Sequence, residues 1–433
     1  MPLRRNRDFV LLQAGQLFSS AGTQLTAVAY PLLVLATTGS AAKAGAVGFA
    51  RLLPAALLAL PAGAAADRWN RRRLMIAADL VRVAAVGALG AAILLDSLAY
   101  WAIVAAAFVE GAGAGVFAPA FTGALRSVVP PRQLPAAVAT QTGRQAFVSL
   151  VGPPLGGALF GVARALPFLA DAVSYASSTL SLLLLRTPFQ EVRVRDRSPL
   201  AARVTEGFRF LWSLPFLRTC ALLFGLANFL GPGLLLALVV IGTEEGLSGG
   251  AVGALVAVFA ACILLGSVLS PLVRRRLPPR AVLLLELWTW PCCAVFLVWP
   301  SVWVLLAGML PTAVAIPSTD SVVHGSRIAL TPDRLVGRVE AVWSTVALAI
   351  APLGPLLAGA LLGVTSSRVT VAVFAGAALV LAVWGTLSPS LRDPPVPRRI
   401  DRGGAAAVAA AAGRTAVHLH AAPVHAPRGR SHR

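Results

Sequence analysis

Twelve apolar runs, each long enough to cross a bilayer, follow one another through this chain with only short polar breaks between them. That pattern removes most folds from consideration. A backbone in hydrocarbon has no water to bond, so each spanning element must satisfy its own N–H and C=O groups, and runs of this length do so as helices. Runs at 9–36, 42–66, 74–95, 99–126, 136–163 and 166–186 predict one set of helices. Runs at 217–242, 248–272, 279–299, 301–326, 337–363 and 369–390 predict a second. The chain then divides into a half at 1–186, an amphipathic linker at 187–216, a half at 217–391 and a disordered tail at 392–433. With 57% hydrophobic and only 12% charged residues, it has too little charge to clothe a water-soluble surface.

The charges that remain are unevenly placed. Net charge is +20, and Lys43 is the only lysine. Such a surplus can mark nucleic-acid binding, but here the arginines sit in short clusters between apolar runs, where lipid headgroups and topology account for them. The tightest cluster is Gly63-Ala-Ala-Ala-Asp67-Arg68-Trp-Asn-Arg71-Arg72-Arg73, a hinge with almost no room for a folded loop. With the N-terminus inside, the outer loops hold only Lys43, Arg164 and Arg368, and one of them, Thr243-Glu244-Glu245-Gly246, is acidic. Arg4, Arg5, Arg7, the cluster at 68–73, Arg126, Arg132, the arginines at 274–276, Arg280, Arg334 and Arg338 fall inside. This asymmetry predicts a multi-pass plasma-membrane protein with both termini in the cytoplasm. Cys220, Cys262, Cys292 and Cys293 lie in apolar stretches with no metal-site or disulfide spacing. His418, His420, His425 and His432 are scattered through an Ala-, Arg- and Pro-rich tail, which reads as disorder rather than as a metal site.

Three separate segments repeat at nearly one spacing. Gly152-Pro-Pro-Leu-Gly-Gly157-Ala-Leu-Phe-Gly161 matches Gly354-Pro-Leu-Leu-Ala-Gly359-Ala-Leu-Leu-Gly363 at an offset of 202. Arg126 with Pro131-Arg-Gln-Leu134 matches Arg327 with Pro332-Asp-Arg-Leu335 at 201, and Gly63 with Arg71-Arg72 matches Gly266 with Arg274-Arg275 at 203. The chain is therefore a duplicated six-helix unit. The copies differ at one telling place: Asp67 and Arg68 correspond to Ser270 and Pro271, so only the first half keeps the carboxylate.

The hinge pattern G-x-x-x-D-R-x-x-R-R resembles the loop between helices 2 and 3 of the major facilitator superfamily of transporters. Further stretches resemble its macrolide-efflux and enterobactin-exporter branch: Asn6-Arg-Asp-Phe9, Pro31-Leu-Leu-Val-Leu35 with Thr38-Gly-Ser40, Phe168-Leu-Ala-Asp171-Ala-Val-Ser174-Tyr, and Glu206-Gly-x-Arg209-Phe followed by Pro215-x-Leu-Arg218. The resemblance covers roughly residues 6–390. It implies an all-α membrane protein of twelve transmembrane helices in two pseudo-symmetric six-helix halves (the major facilitator fold), with the transport site at mid-membrane between the halves, as is general for that superfamily. It also implies a conformational gate at Gly63, Asp67, Arg68, Arg71 and Arg72, with Asp67 latching near Gly337-Arg338 and Arg126 as another partner. Gly152, Pro153, Gly156 and Gly157 resemble part of the helix-5 signature of exporters.

Polar residues inside the apolar runs need a reason, since a mid-bilayer carboxylate costs about 2.5–3.5 kcal/mol on insertion scales. Glu110 falls near the middle of helix 4, followed by Gly111, Gly113 and Gly115, which would let another helix approach closely. Relatives in the wider superfamily often carry R-x-x-Q-G here; Ala107 and Glu110 take those positions. Glu110 reads as a proton- or cation-binding acid facing a cavity, or as a protonated structural acid bonded to a neighbouring helix. Gln13, Gln16, Ser20 and Gln24 share one face of helix 1, facing either a cavity or another helix. Gln141 and Arg144 lie three apart in helix 5, with Arg144 a candidate partner for Glu110. Asp171 reads as a packing or capping acid. Asn228 with Gly231-Pro-Gly233 predicts a bend at the cavity wall, and Glu286, Asp320 and His324 are further candidate cavity residues.

No phosphate-binding G-x-x-x-x-G-K-[ST] loop and no nucleophile elbow occur, so neither ATP-driven transport within the chain nor enzymatic chemistry is expected. The resemblance implies a secondary active transporter, without cofactor or metal, that exports a small amphipathic compound (drug, macrolide, siderophore or other secondary metabolite) by alternating access. Protons are the expected coupling ion, membrane lipids the surroundings, a monomer the expected state, and nucleic acid no partner. A lipid or lysophospholipid flippase and a non-transporting membrane sensor are the rival readings.

Overall fold

The computed structural model of the protein describes residues 3–187, 189, 200–332 and 335–392, apart from the side chains of Arg4, Asp67 and residues 200–203. The expected disorder and histidines of the tail beyond 392, and the linker segment at 190–199, lie outside the described residues. Among the described residues there are helices and no strand. The first half contains α1 (Arg7–Thr38), α2 (Ala41–Arg68), α3 (Arg71–Leu94), α4 (Tyr100–Val128), α5 (Leu134–Val162) and α6 (Leu166–Leu184). After α7 (Leu200–Ser213) come α8 (Pro215–Ala227), α9 (Leu230–Glu244), α10 (Gly249–Arg276), α11 (Pro279–Thr289), α12 (Val302–Leu330), α13 (Val336–Ala349), α14 (Leu353–Val364) and α15 (Ser367–Leu387).

The extra helices are broken spans, and proline breaks them. α8 and α9 form one span interrupted at Asn228-Phe229, because Pro232 has no N–H to offer the carbonyl one turn back. At the break, the Asn228 side chain donates Nδ2 to Ala347 O of α13 at 2.8 Å. α11 continues as a 3-10 helix, Trp290–Leu297, from Pro291 onward. α13 and α14 are one span broken before Pro352, whose counterpart in the repeat is Leu150; α5 accordingly runs unbroken. Among the described residues, eleven spans are long and apolar enough to cross a membrane. α6 makes the twelfth helix, its mean hydropathy lowered by Asp171 and a run of hydroxyl side chains that face α1 and α3.

The turn between α1 and α2 shows how tightly consecutive helices are joined. Gly39 ends α1 at φ 62°, a left-handed conformation that suits glycine, and Ser40 accepts from Lys43 N to cap α2.

The two halves meet through small residues near one end of the bundle. A methyl group on Gly157 of α5 would lie 1.9 Å from Gly249 O of α10, and one on Gly253 would lie 2.2 Å from Pro153 O. The repeat generates the matching contact on the other side, where Gly359 of α14 meets Gly45 and Ala41 O of α2. Such close backbone approach is how helices associate where lipid offers no hydrophobic drive. Of the helix-5 residues resembling an exporter signature, Pro153 and Gly157 meet α10 at this seam, whereas Gly152 and Gly156 lie against α1 at Gln24 Cβ and Leu25 O.

Toward the arginine-bearing end, α5 and α10 no longer bury each other. Between 134 and 147 of α5 only Ala137 is buried, and between 261 and 276 of α10 only Gly266 and Ser270 are. The α5–α10 seam is closed at the Gly157 end and open at the other.

Ala158 Cβ lies 3.7 Å from a Cβ built on Gly250, within the separation of roughly 3.5–4.5 Å that a disulfide spans. In a chain without its four native cysteines, Ala158→Cys/Gly250→Cys should cross-link under mild oxidation, so that neither thiol takes a maleimide label. Persistent labelling of both would contradict the closed seam.

Candidate functional site

The first half encloses an ionic layer that crosses four helices. Glu110 of α4 is buried, and its Oε1 accepts Arg51 Nη2 at 2.6 Å and Arg51 Nε at 3.2 Å. Arg51 reaches it because Gly111 lets α2 close in: a methyl group there would lie 1.9 Å from Arg51 O. The same guanidinium donates Nη2 to Thr23 O of α1 at 3.0 Å and stands over the Tyr30 ring. Thr26 Oγ1 then donates to Asp171 Oδ2 of α6 at 3.0 Å, and Ser174 Oγ donates to Asp171 Oδ1 at 3.0 Å. Glu110 Oε2 and Tyr30 Oη remain buried without a hydrogen-bond partner.

A second buried pair lies on α3. Arg82 Nη1 donates to Asp79 Oδ1 at 3.3 Å, with the guanidinium between the rings of Phe117 and Tyr175. Gly113 makes room for it, as a methyl group there would meet Arg82 Nε at 2.5 Å. Gly123 does the same for Arg71, so three glycines of α4 each receive an arginine or its backbone.

Arg144 does not reach Glu110, which corrects that expectation. Its Nη1 donates to Gln13 Oε1 at 2.8 Å, joining α5 to α1, and its guanidinium lies over Phe121. Gln24 Nε2 donates to Ser149 Oγ at 3.1 Å, also across α1 and α5. Ser20 Oγ donates to Gln16 O in its own helix. Gln16 and Gln141 are half-buried and make no side-chain hydrogen bond among the described residues. The polar face of helix 1 therefore meets α5 at Gln13 and Gln24.

The second half holds a cavity of about 520 Å³ between α8, α9, α10, α11, α12 and α13. Asn228, Glu286, Asp320 and His324 all line it, bringing those expected cavity residues together. Arg327 lines it as well, its Nε and Nη2 gripping both oxygens of Glu340 at 2.8 and 2.9 Å, with His324 Nδ1 2.9 Å from Nη2. Among the described residues no three His, Cys, Asp or Glu side chains gather as metal ligands.

The expected gate residues are placed unevenly. Arg71 donates to Ala66 O and Phe189 O, Arg72 donates to Leu183 O, Arg68 and Arg126 are exposed, and Gly63 has open space around its missing side chain. Arg338 pairs with Glu206 of α7, while Gly207 lies against Arg338 O. The Asp67 side chain lies outside the described residues. On α7, Phe208 and Trp212 stack and Leu211 is buried, so the amphipathic helix is packed against α13 on one side.

A known family described as transmembrane secretion effectors matches residues 1–396 of this chain. The chain belongs to that family, within the major facilitator superfamily. This transporter is 27% identical over 89% of its length to the multidrug efflux pump Tap of Mycolicibacterium fortuitum, covering 96% of that protein. It is 24% identical over 44% of its length to macrolide efflux protein A of Streptococcus pyogenes, covering 47% of it. Its fold matches a crystal structure of a bacterial homologue of the iron transporter ferroportin in an inward-facing state, at TM-score 0.69 and 19% identity, covering 91% of this chain and all of that one. It is a multi-pass membrane transporter of twelve helices and not an enzyme.

Arg51, Asp79 and Arg82 of the transporter were not singled out from sequence as site residues. A lone arginine in an apolar run is itself the signal, since it must find a carboxylate or face water, and Asp79 with Arg82 stands at a spacing that puts both on one helix face. Removing one member of a buried pair strands the other at a cost of about 3–5 kcal/mol. Arg51→Ala should therefore lower the unfolding midpoint in detergent, and Arg51→Gln/Glu110→Gln should restore most of it. A midpoint for Arg51→Ala equal to wild type would contradict the pair's structural role.

Proposed function

We propose that this transporter is a proton-coupled exporter of small amphipathic compounds, working by alternating access with its arginine-bearing end and both termini in the cytoplasm. The observation that carries the reading is the Arg51–Glu110 pair: the carboxylate is 3% exposed and the guanidinium 19%. The arginine thus stands between the acid and accessible space, and protonation of Glu110 would free it. A change in α2 and α4 contact would follow, because Arg51 is held to α1 and α4 together. Export of drugs is supported by the two efflux relatives, a multidrug pump and a macrolide exporter. The basic residues at one end of the spans support the orientation.

The hinge at 63–73 is the proposed cytoplasmic gate, with Asp67 as its carboxylate and Arg68, Arg71, Arg72, Arg126 and Arg338 its basic neighbours in function. Since Ser270 takes the matching place in the second half, the gate is carried by one half. The splayed inner parts of α5 and α10 are what such a gate would have to bring together. Gln13, Gln16, Ser20, Gln24, Gln141 and Arg144 are the proposed first-half wall of the transport path, and Asn228, Glu286 and Asp320 the second-half wall.

In inside-out vesicles, wild-type protein should accumulate the dye Hoechst 33342 when a proton gradient is imposed, and Glu110→Gln should lose the dependence on that gradient. Unchanged gradient dependence in Glu110→Gln would overturn the coupling role. Asp67→Asn should lower the same uptake and raise labelling, by thiol reagents from the cytoplasmic side, of a cysteine introduced into the cavity at Asn228; unchanged labelling and uptake would remove the gate.

A further inference from the structure

Most carboxylates inside the spans are answered by a neighbour. Asp79 has Arg82, Glu110 has Arg51, Glu340 has Arg327, and Asp171 accepts two hydroxyls. Glu286 and Asp320 are different: both line the second-half cavity, and neither makes an ion pair among the described residues. Glu286 is 93% removed from solvent, being 7% exposed, in a span where an unanswered acid is costly. One turn further on, Trp290 turns a buried indole Nε1 toward the same cavity and the Glu286 carboxyl, with no direct hydrogen bond among the described residues. The neighbouring cation, Arg327, is held by Glu340 in a two-toothed pair, so neither cavity acid has an arginine of its own among the described residues.

The rest of the wall is aromatic and aliphatic, with Phe224, Phe259, Trp290 and Trp343 among its residues. Aromatic faces attract cations when water is excluded. A cavity of about 520 Å³ lies within the range of roughly 300–1,000 Å³ that holds small organic ligands. It is far too large for a bare metal ion, and the described carboxylates and histidine do not converge as a metal cluster.

We infer that this cavity binds a monovalent organic cation with an apolar body, its charged centre at Glu286 and Asp320 and its rings against Trp290 and the two phenylalanines. This names a substrate class for the exporter and rests on the export reading only for the direction of movement, since binding itself needs neither protons nor a membrane. It also divides the work between the halves: the first engages its buried carboxylates with arginines and hydroxyls, and the second keeps two carboxylates open for cargo.

Tetraphenylphosphonium and tetraphenylborate have nearly the same shape and opposite charge, so their comparison isolates the charge of the site. Titrated into the full-length protein in detergent, the phosphonium should bind at least ~10-fold more tightly than the borate. Glu286→Gln and Asp320→Asn should each erase most of that preference. Glu244→Gln, which removes a carboxylate from the opposite end of the bundle, should leave it intact. Glu286→Gln should also unfold at or above the wild-type temperature, as expected when an unanswered buried charge is removed. Equal binding of the two ions by wild-type protein, no phosphonium binding, a preference retained in Glu286→Gln, or a lowered midpoint would each overturn the site. Selective phosphonium binding together with gradient-independent dye uptake would refute the proton coupling and leave the cation site standing; the converse result would do the reverse.

Discussion

A charged pair buried in a lipid-embedded bundle sets the terms for the first half of this protein. Once Arg51 and Glu110 are placed in apolar runs, each is costly alone and tolerable only together. Their meeting requires α2 and α4 to touch, which Gly111 permits by leaving no side chain in the way. The same arginine then fixes α1 through Thr23 O, and Thr26 passes the connection to Asp171 on α6. Four helices are held by a chain of contacts that begins with one ion pair. The glycines of α4 are best understood as the spaces this network needs, because Gly113 and Gly123 make the same allowance for Arg82 and Arg71.

The second half descends from the same unit yet is built differently. The arginine repeated at 126 and 327 shows the divergence: Arg126 is exposed, whereas Arg327 is clamped to Glu340 and stacked on Trp343. Prolines at 232, 291 and 352 interrupt three spans of the second half, and the interrupted helices enclose a cavity. The halves nonetheless join through matched seams, α5 on α10 and α14 on α2, as a duplicated unit would. Backbone carbonyls at those seams approach glycines more closely than any side chain would allow, so the seam is selective for glycine on geometric grounds alone.

Much of this architecture is legible in the order of residues alone. The lengths of the apolar runs locate the spans, because the bilayer fixes them, and the repeated Gly-Pro segment locates the seam. The approach of another helix to Gly111 and Gly113 follows from their size. The partners of the ionic residues are not legible. Arg51 and Glu110 are 59 positions apart, and nothing local says which of several arginines answers the acid; Arg144 fits by depth but is committed to Gln13. Asp171 gives a similar lesson, since its place on a short, hydroxyl-rich helix marks it as a packing residue without revealing that it continues the Arg51 network. The breaks in the second half are readable as prolines, but their outcome depends on what stands opposite, as at Asn228, where a side-chain amide meets Ala347 O.

The proposed coupling has substrate and proton exchanged through a shared rearrangement of the Arg51–Glu110 pair. Proton release on ligand binding tests it most directly, in weakly buffered detergent solution with a pH indicator. Tetraphenylphosphonium carries no titratable proton, so any proton released comes from the protein. The wild type should release a proton on binding, and Glu110→Gln should release none. Binding without proton release at any pH, or identical release from both proteins, would contradict the shared rearrangement.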